Sequence, residues 1–197
     1  MRLQRSLLFL VAAISLQAGT VSLTGSLDPN DPNDVFLYQF AVPAVSDLLF
    51  QSYGFGGGVN AGGTVIPSGG FDAYLSVFAG TGPSAIFLAS NDDGTCPLGT
   101  PDPTCSDPTL SLSAQPAGWY TLALTVFDNF SFAENFGSGT LGDGFIGLGD
   151  YFNLASNSFR TSNFALDVSS SAGFVPEPGT IFLFATGVAL LFQLRRE

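Results

Sequence analysis

From residue 21 to residue 168 apolar and polar side chains repeat with a period of two, and no stretch in between carries a helical stripe, so the chain is confined to β-structure. Val35-Phe-Leu-Tyr-Gln-Phe-Ala-Val places Phe36, Tyr38, Phe40 and Val42 on one face and Val35, Leu37, Gln39 and Ala41 on the other. Gly118-Trp-Tyr-Thr-Leu-Ala-Leu-Thr-Val turns Tyr120, Leu122, Leu124 and Val126 inward and leaves Thr121, Ala123 and Thr125 facing out. Residues 163–168 repeat the device with Phe164, Leu166 and Val168. Further strands are expected over residues 21–27, 48–53, 73–78, 85–90 and 109–112. Short strands punctuated by Gly, Pro, Asn and Asp predict an all-β fold, an antiparallel β-sandwich closed by aromatics from both sheets.

Two connections are too long for a minimal sandwich. Residues 54–70 are Gly-rich, and residues 127–162 carry Phe130, Phe132, Phe136, Phe145, Phe152 and Phe159 beyond Phe127. Loops of this length are uncommon without a purpose. So many phenylalanines are not left in water; the second connection is expected to fold back over a sheet face, with a binding surface as the alternative.

Both ends read as addresses. Arg2 and Arg5, an apolar stretch from Leu7 to Leu16 and the small pair Ala18-Gly19 make residues 1–18 an expected signal peptide. At the other end, Val175-Pro176-Glu177-Pro178-Gly179 precedes an uncharged apolar run over residues 180–194 and then Arg195-Arg196. The prolines stop the preceding fold. As a helix the run spans roughly 22 Å, short of the ~30 Å hydrocarbon core, a deficit that snorkelling arginines can cover. The order of these three parts resembles the PEP-CTERM sorting signal, in which a Pro-Glu-Pro motif, a transmembrane helix and a basic end are recognised by an exosortase-type sorting enzyme. That resemblance implies a precursor held transiently in the inner membrane and then processed for the cell surface or the extracellular space. One domain lies between the addresses, residues 19–174, with residues 175–197 as the sorting tail.

The domain holds 13 Asp and one Glu against the single Arg160, a formal charge of −13, and the whole chain has no Lys and no His. Such a surface cannot displace counterions from a phosphate backbone, which excludes nucleic acid as a partner. Without His or Lys, no Ser/His/Asp or Ser/Lys nucleophile can be assembled and no phosphate loop can end in lysine. A carboxylate pair for glycoside hydrolysis stays conceivable, but nothing marks one. The chain therefore reads as a non-enzyme.

One cluster is rich in oxygen. Asp72 opens a strand and Asn91-Asp92-Asp93-Gly94 closes the next, so antiparallel pairing would bring them to one end of a sheet as a candidate Ca2+ site. The alternative is an ordinary turn, with Asn91 and the aspartates bonding their own backbone and Gly94 at positive φ. The segment Asp28-Pro-Asn-Asp-Pro-Asn-Asp has a similar composition without EF-hand spacing. Cys96 and Cys105 sit in a Pro-rich loop, and in an exported chain they read as one structural disulfide.

Four segments carry a wider resemblance: Asp34-Val-Phe-Leu-Tyr-Gln-Phe, Gly70-Phe-Asp-Ala-Tyr-Leu-Ser-Val-Phe, Ser90-Asn-Asp-Asp-Gly and Ala117-Gly-Trp-Tyr-Thr-Leu-Ala-Leu. In this order they are similar to the strands of the bacterial pre-peptidase C-terminal domain. The insertions beginning at Gly62 and Asp143 resemble the DVUA0089 family of PEP-CTERM proteins. The resemblance implies a jelly-roll-like sandwich on an exported, surface-associated protein, and no catalytic residues. Two functions follow as expectations: a non-enzymatic module of the cell surface or extracellular matrix, or a Ca2+-dependent exopolysaccharide binder presenting Trp119, Tyr151 or Phe152.

The disulfide is open to direct test. Non-reducing peptide mapping of the exported protein should find Cys96 linked to Cys105, and Cys96→Ser should cost at most ~2–3 kcal/mol, because the loop it closes is short. Two thiols that alkylate without reduction would show that the loop is not stapled.

Overall fold

A computed structural model describes residues 18–94, 106–153 and 158–175. In chain order these residues form β1 (Gly19–Ser26), β2 (Phe36–Val42), β3 (Ser46–Ser52), β4 (Gly58–Val59), β5 (Val65–Ile66), β6 (Ala73–Ala79), β7 (Ile86–Asn91), β8 (Thr109–Gln115) and β9 (Gly118–Val126). The helix α1 (Phe132–Asn135), a 3-10 turn (Leu141–Asp143), β10 (Phe152–Asn153), β11 (Ser158–Phe159) and β12 (Asn163–Ser170) complete them. Each strand read from the alternation is present, displaced by no more than a few residues. The expected signal peptide, the Cys96–Cys105 bridge and the apolar helix over 180–194 lie outside the described residues. Among the described residues no helix is long and apolar enough to cross a membrane.

The strands form two four-stranded antiparallel sheets, in the orders β1-β12-β3-β8 and β2-β9-β6-β7. Two short ribbons, β4-β5 and β10-β11, stand apart from them. The inward faces meet in one core. Phe40, Val42, Leu75, Val77, Leu122, Leu124 and Val126 from one sheet pack with Leu48, Phe50, Leu110, Leu166 and Val168 from the other. Phe40 lies near the centre of the aromatic contacts, with Phe50, Tyr120 and Phe174 within about 6 Å, ring centre to ring centre.

The outward face of β9 departs from the expectation. Thr121, Ala123 and Thr125 do point away from the core, yet all three are fully buried. The second long connection lies on top of them. Ala133, Leu141 and Phe145 pack with Phe78, Phe87 and Ala123 in a second apolar layer. Phe130 sets its ring edge-on against Tyr74 at 5.0 Å. The Thr125 hydroxyl donates to Asn129 O at 2.9 Å, which ties the start of the cover to the strand. The cover also shields an edge: Thr140 bridges to Ile86, and Phe87 N donates to Gly139 O on the outermost strand, β7. Phe130 and Phe145 are thus covering residues, whereas Phe136 stays 77% exposed and Phe159 72%.

The first long connection is held by two buried carboxylates. Asp107 accepts from Phe55 N (3.0 Å), Gly56 N (2.7 Å) and the Ser52 hydroxyl (2.7 Å). Asp167, in the middle of β12, accepts from Ala61 N (2.7 Å), the Tyr53 hydroxyl (2.8 Å) and the Ser22 hydroxyl (2.6 Å). Arg160 lies 3.4 Å above the Phe55 ring centre and donates to the carbonyls of Phe55 and Gly70. Backbone N–H groups that would otherwise be buried without partners are satisfied by these side chains.

Asp167→Ala should destabilise the domain by about 2–4 kcal/mol, because it leaves the buried Tyr53 phenol and the part-buried Ser22 hydroxyl and Ala61 N–H without their acceptor. Urea denaturation checks this; a loss below about 0.5 kcal/mol would mean that the excursion is held by something else.

Candidate functional site

The hairpin pairing brings the predicted acidic residues together. With Leu75 opposite Asn91 in the β6-β7 register, Asp72 lies just beyond the start of β6, beside the turn that follows β7. Burial first, and then the charges of Asp93 and Asp92, push the Asp72 carboxyl up from its ordinary 3.8 to about 7, against a hydrogen bond from Ser106 and the charge of Arg160. Asp93 is raised as well, by burial and by Asp92. Asp107 is raised chiefly by burial, opposed by its three donors and by Arg160.

Asn91 is committed to the turn itself. Its Nδ2 donates to the carbonyls of Asp93 and Thr109, so the amide clasps the start of β8 against the end of β7. Gly94 does not adopt the expected positive φ. Its role is room: a Cβ there would lie 2.6 Å from both Asp107 O and Thr109 Oγ1. Among the described residues no group of three His, Cys, Asp or Glu side chains is arranged to hold a metal ion. Calcium at Asp72, Asp92 and Asp93 therefore requires these carboxylates to turn toward one another.

The other aspartate-rich segment is structural. Asp28 and Asp31 each accept from a backbone N–H two residues ahead, and Asp34 accepts from the N–H groups of Asp28 and Val35. The Tyr151 hydroxyl donates to Asp28 O at 2.6 Å, and the ring, 4% exposed, packs edge-on to Phe71. Tyr151 is therefore not presented to a ligand, contrary to the expectation for a glycan-binding surface. Phe152 pairs through its backbone with Phe159. Trp119 is 54% exposed but sits opposite Ala41, at the far end of its sheet from Asp72. Trp119 and Tyr151 do not share a groove with the acidic cluster. Asn129, which opens an Asn-Phe-Ser sequon, is fully buried and unavailable for modification.

A cavity of about 610 Å³ opens beside Gly54, Pro67, Gly70 and Phe164; its lining contains no ionisable side chain. Ser106 and Arg160, which complete the electrostatics around Asp72, were not singled out from the sequence as members of this cluster.

Of the sorting residues, Val175 is described: its N–H donates to Ala41 O at 2.9 Å, just after Phe174 packs onto Phe40. Pro176, Glu177, Pro178, Arg195 and Arg196 lie outside the described residues. Residues 174–196 match the PEP-CTERM protein-sorting motif. No curated protein matches the chain. The motif marks an exported protein whose precursor is sorted through an exosortase.

Because the unfolded Asp72 titrates near 3.8 and the folded one near 7, the folded state holds the extra proton between these values. Stability should therefore fall as pH rises across that window. Asp72→Asn should flatten the fall and raise the melting temperature at pH 8 more than at pH 5. Equal shifts at both pH values would remove Asp72 from this role.

Proposed function

We propose that this chain is a non-enzymatic jelly-roll module, delivered by an exosortase-type system to the cell surface or extracellular matrix. The observation that carries the reading is the sorting motif over residues 174–196. With the two short ribbons set aside, the eight long strands run in the order 1-8-3-6 in one sheet and 2-7-4-5 in the other, which supports the jelly-roll assignment. The likeness of four strand segments to the pre-peptidase C-terminal domain agrees with that order. The lack of any His or Lys supports a role without catalysis.

A second reading, calcium-dependent binding of exopolysaccharide, is favoured by one observation: the fold sets Asp72 beside Asp92 and Asp93, where their charges raise its proton affinity. The scatter of exposed aromatics speaks for the structural role instead.

Replacing Pro176-Glu177-Pro178 with three alanines should leave the precursor membrane-bound and unprocessed. Intact-mass measurement decides: a wild-type surface form should have lost the residues after Pro178 or nearby. A surface form still ending at Glu197 would overturn the proposal.

A further inference from the structure

We propose that a calcium ion binds between the end of β7 and helix α1, held by Asp92 and Glu134 over the hydroxyl of Tyr74. The inference rests on the second reading, that this end of the domain takes calcium, and it names a different ligand set. A cavity of about 290 Å³ lies here, lined by Tyr74, Ser90, Asn91, Asp92, Glu134 and Asn135, with Phe130 as a wall. Each of the six offers an oxygen.

The independent sign of a ligand is Tyr74. Its side chain is almost wholly buried, and its hydroxyl has no hydrogen-bond partner. Ser90, Ser131 and Glu134 stand near it, but none of them is in bonding geometry. A buried phenol left in this state is destabilising, yet the tyrosine is held there, clamped edge-on by Phe130. A ligand that brings a coordinated water to this point would supply the missing partner.

Charge and donor type select the ligand. Two carboxylates, from segments about forty residues apart in sequence, line one cavity. The domain's single arginine is engaged at the carbonyls of Phe55 and Gly70 and the ring of Phe55. Oxygen-only donors without His or Cys select a hard cation over zinc or copper. The two Nδ2 bonds of Asn91 fix its amide so that Oδ1 is the atom it can offer. Calcium accepts roughly six to eight oxygens in irregular geometry, and the volume leaves space for the waters that would complete its shell; magnesium demands a tighter octahedron. Affinity in the range of about 10⁻⁴–10⁻³ M is expected, as for other extracellular modules.

The test is a terbium titration of the full chain in detergent, reading emission sensitised by tyrosine and its displacement by CaCl2. Wild type should give a calcium-displaceable signal. Glu134→Gln and Asp92→Asn should each weaken binding at least about tenfold, Tyr74→Phe should lower the sensitised emission, and Asp72→Asn should bind as wild type does. Glu134 and Asp92 are both partly exposed, and circular dichroism melts confirm that the variants fold. Loss in Asp72→Asn with wild-type binding in Glu134→Gln would place the ion at the aspartate turn, overturning this site while leaving the second reading intact. A wild-type chain without any calcium-displaceable signal would overturn both.

Discussion

Strand β9 is buried on both faces for its last seven residues, and much of the remaining structure depends on that. One face belongs to the core between the sheets. The other can be covered only because it is built from Thr121, Ala123 and Thr125, with Ser76 beside them on β6. These side chains are short enough for a second layer of chain to lie close against the sheet. Once that layer is down, its later part satisfies the outermost strand, and its helix α1 forms one side of the cavity next to Asp92. A bulky residue at 123 would lift the cover and expose the β7 edge as a template for pairing with other chains.

The domain's acidity also has a structural use that composition alone does not suggest. Several of its aspartates, two of them buried, do more than keep the surface soluble. Asp107 and Asp167 fasten the Gly-rich excursion by accepting backbone N–H groups, and Asp28, Asp31 and Asp34 fold a Pro-containing segment onto itself. In a chain with one arginine in its folded part, neutral backbone N–H groups, rather than cations, are the main hydrogen-bond donors available to a carboxylate. Asp72, near the end of the β6-β7 hairpin, is raised first by its burial and then by the charges of Asp93 and Asp92, which is why its proton is held so firmly.

These features were unequally legible in the sequence. Period-two alternation marks Phe40, Leu122 and Leu166 as inward residues because their neighbours are polar or small. The hairpin logic that joins Asp72 to Asp92 and Asp93 is equally local. The same alternation cannot tell an outward threonine in water from one beneath a second layer, so the burial of Thr121 and Thr125 was hidden. Asp167 reads as an ordinary solvent-facing strand residue; its partner Ala61 is 106 residues away. Glu134 pairs with the aspartate turn only through the path of the cover. Gly94 looks like a positive-φ turn glycine, while its true constraint, the backbone of residues 107–109, comes from a different strand.

The two ends of the domain leave it at one place. A Cβ on Gly19 would lie 3.6 Å from both Gly173 Cα and the Phe174 ring, and Val175 bonds Ala41, whose cross-strand partner is Trp119. Ala73 pairs with Val126 at the other extremity of the same strand, next to Asp72. A precursor tethered through residues beyond 175 therefore has a defined polarity. Trp119 lies at the end of β9 beside the exit of the chain past residue 175, and Asp72 with the turn after β7 lies at the opposite end, roughly 26 Å away along β9. Asp72, Asp92 and Asp93 are thus carried at the end away from the exit of the tail, while Asp47 lies beside it.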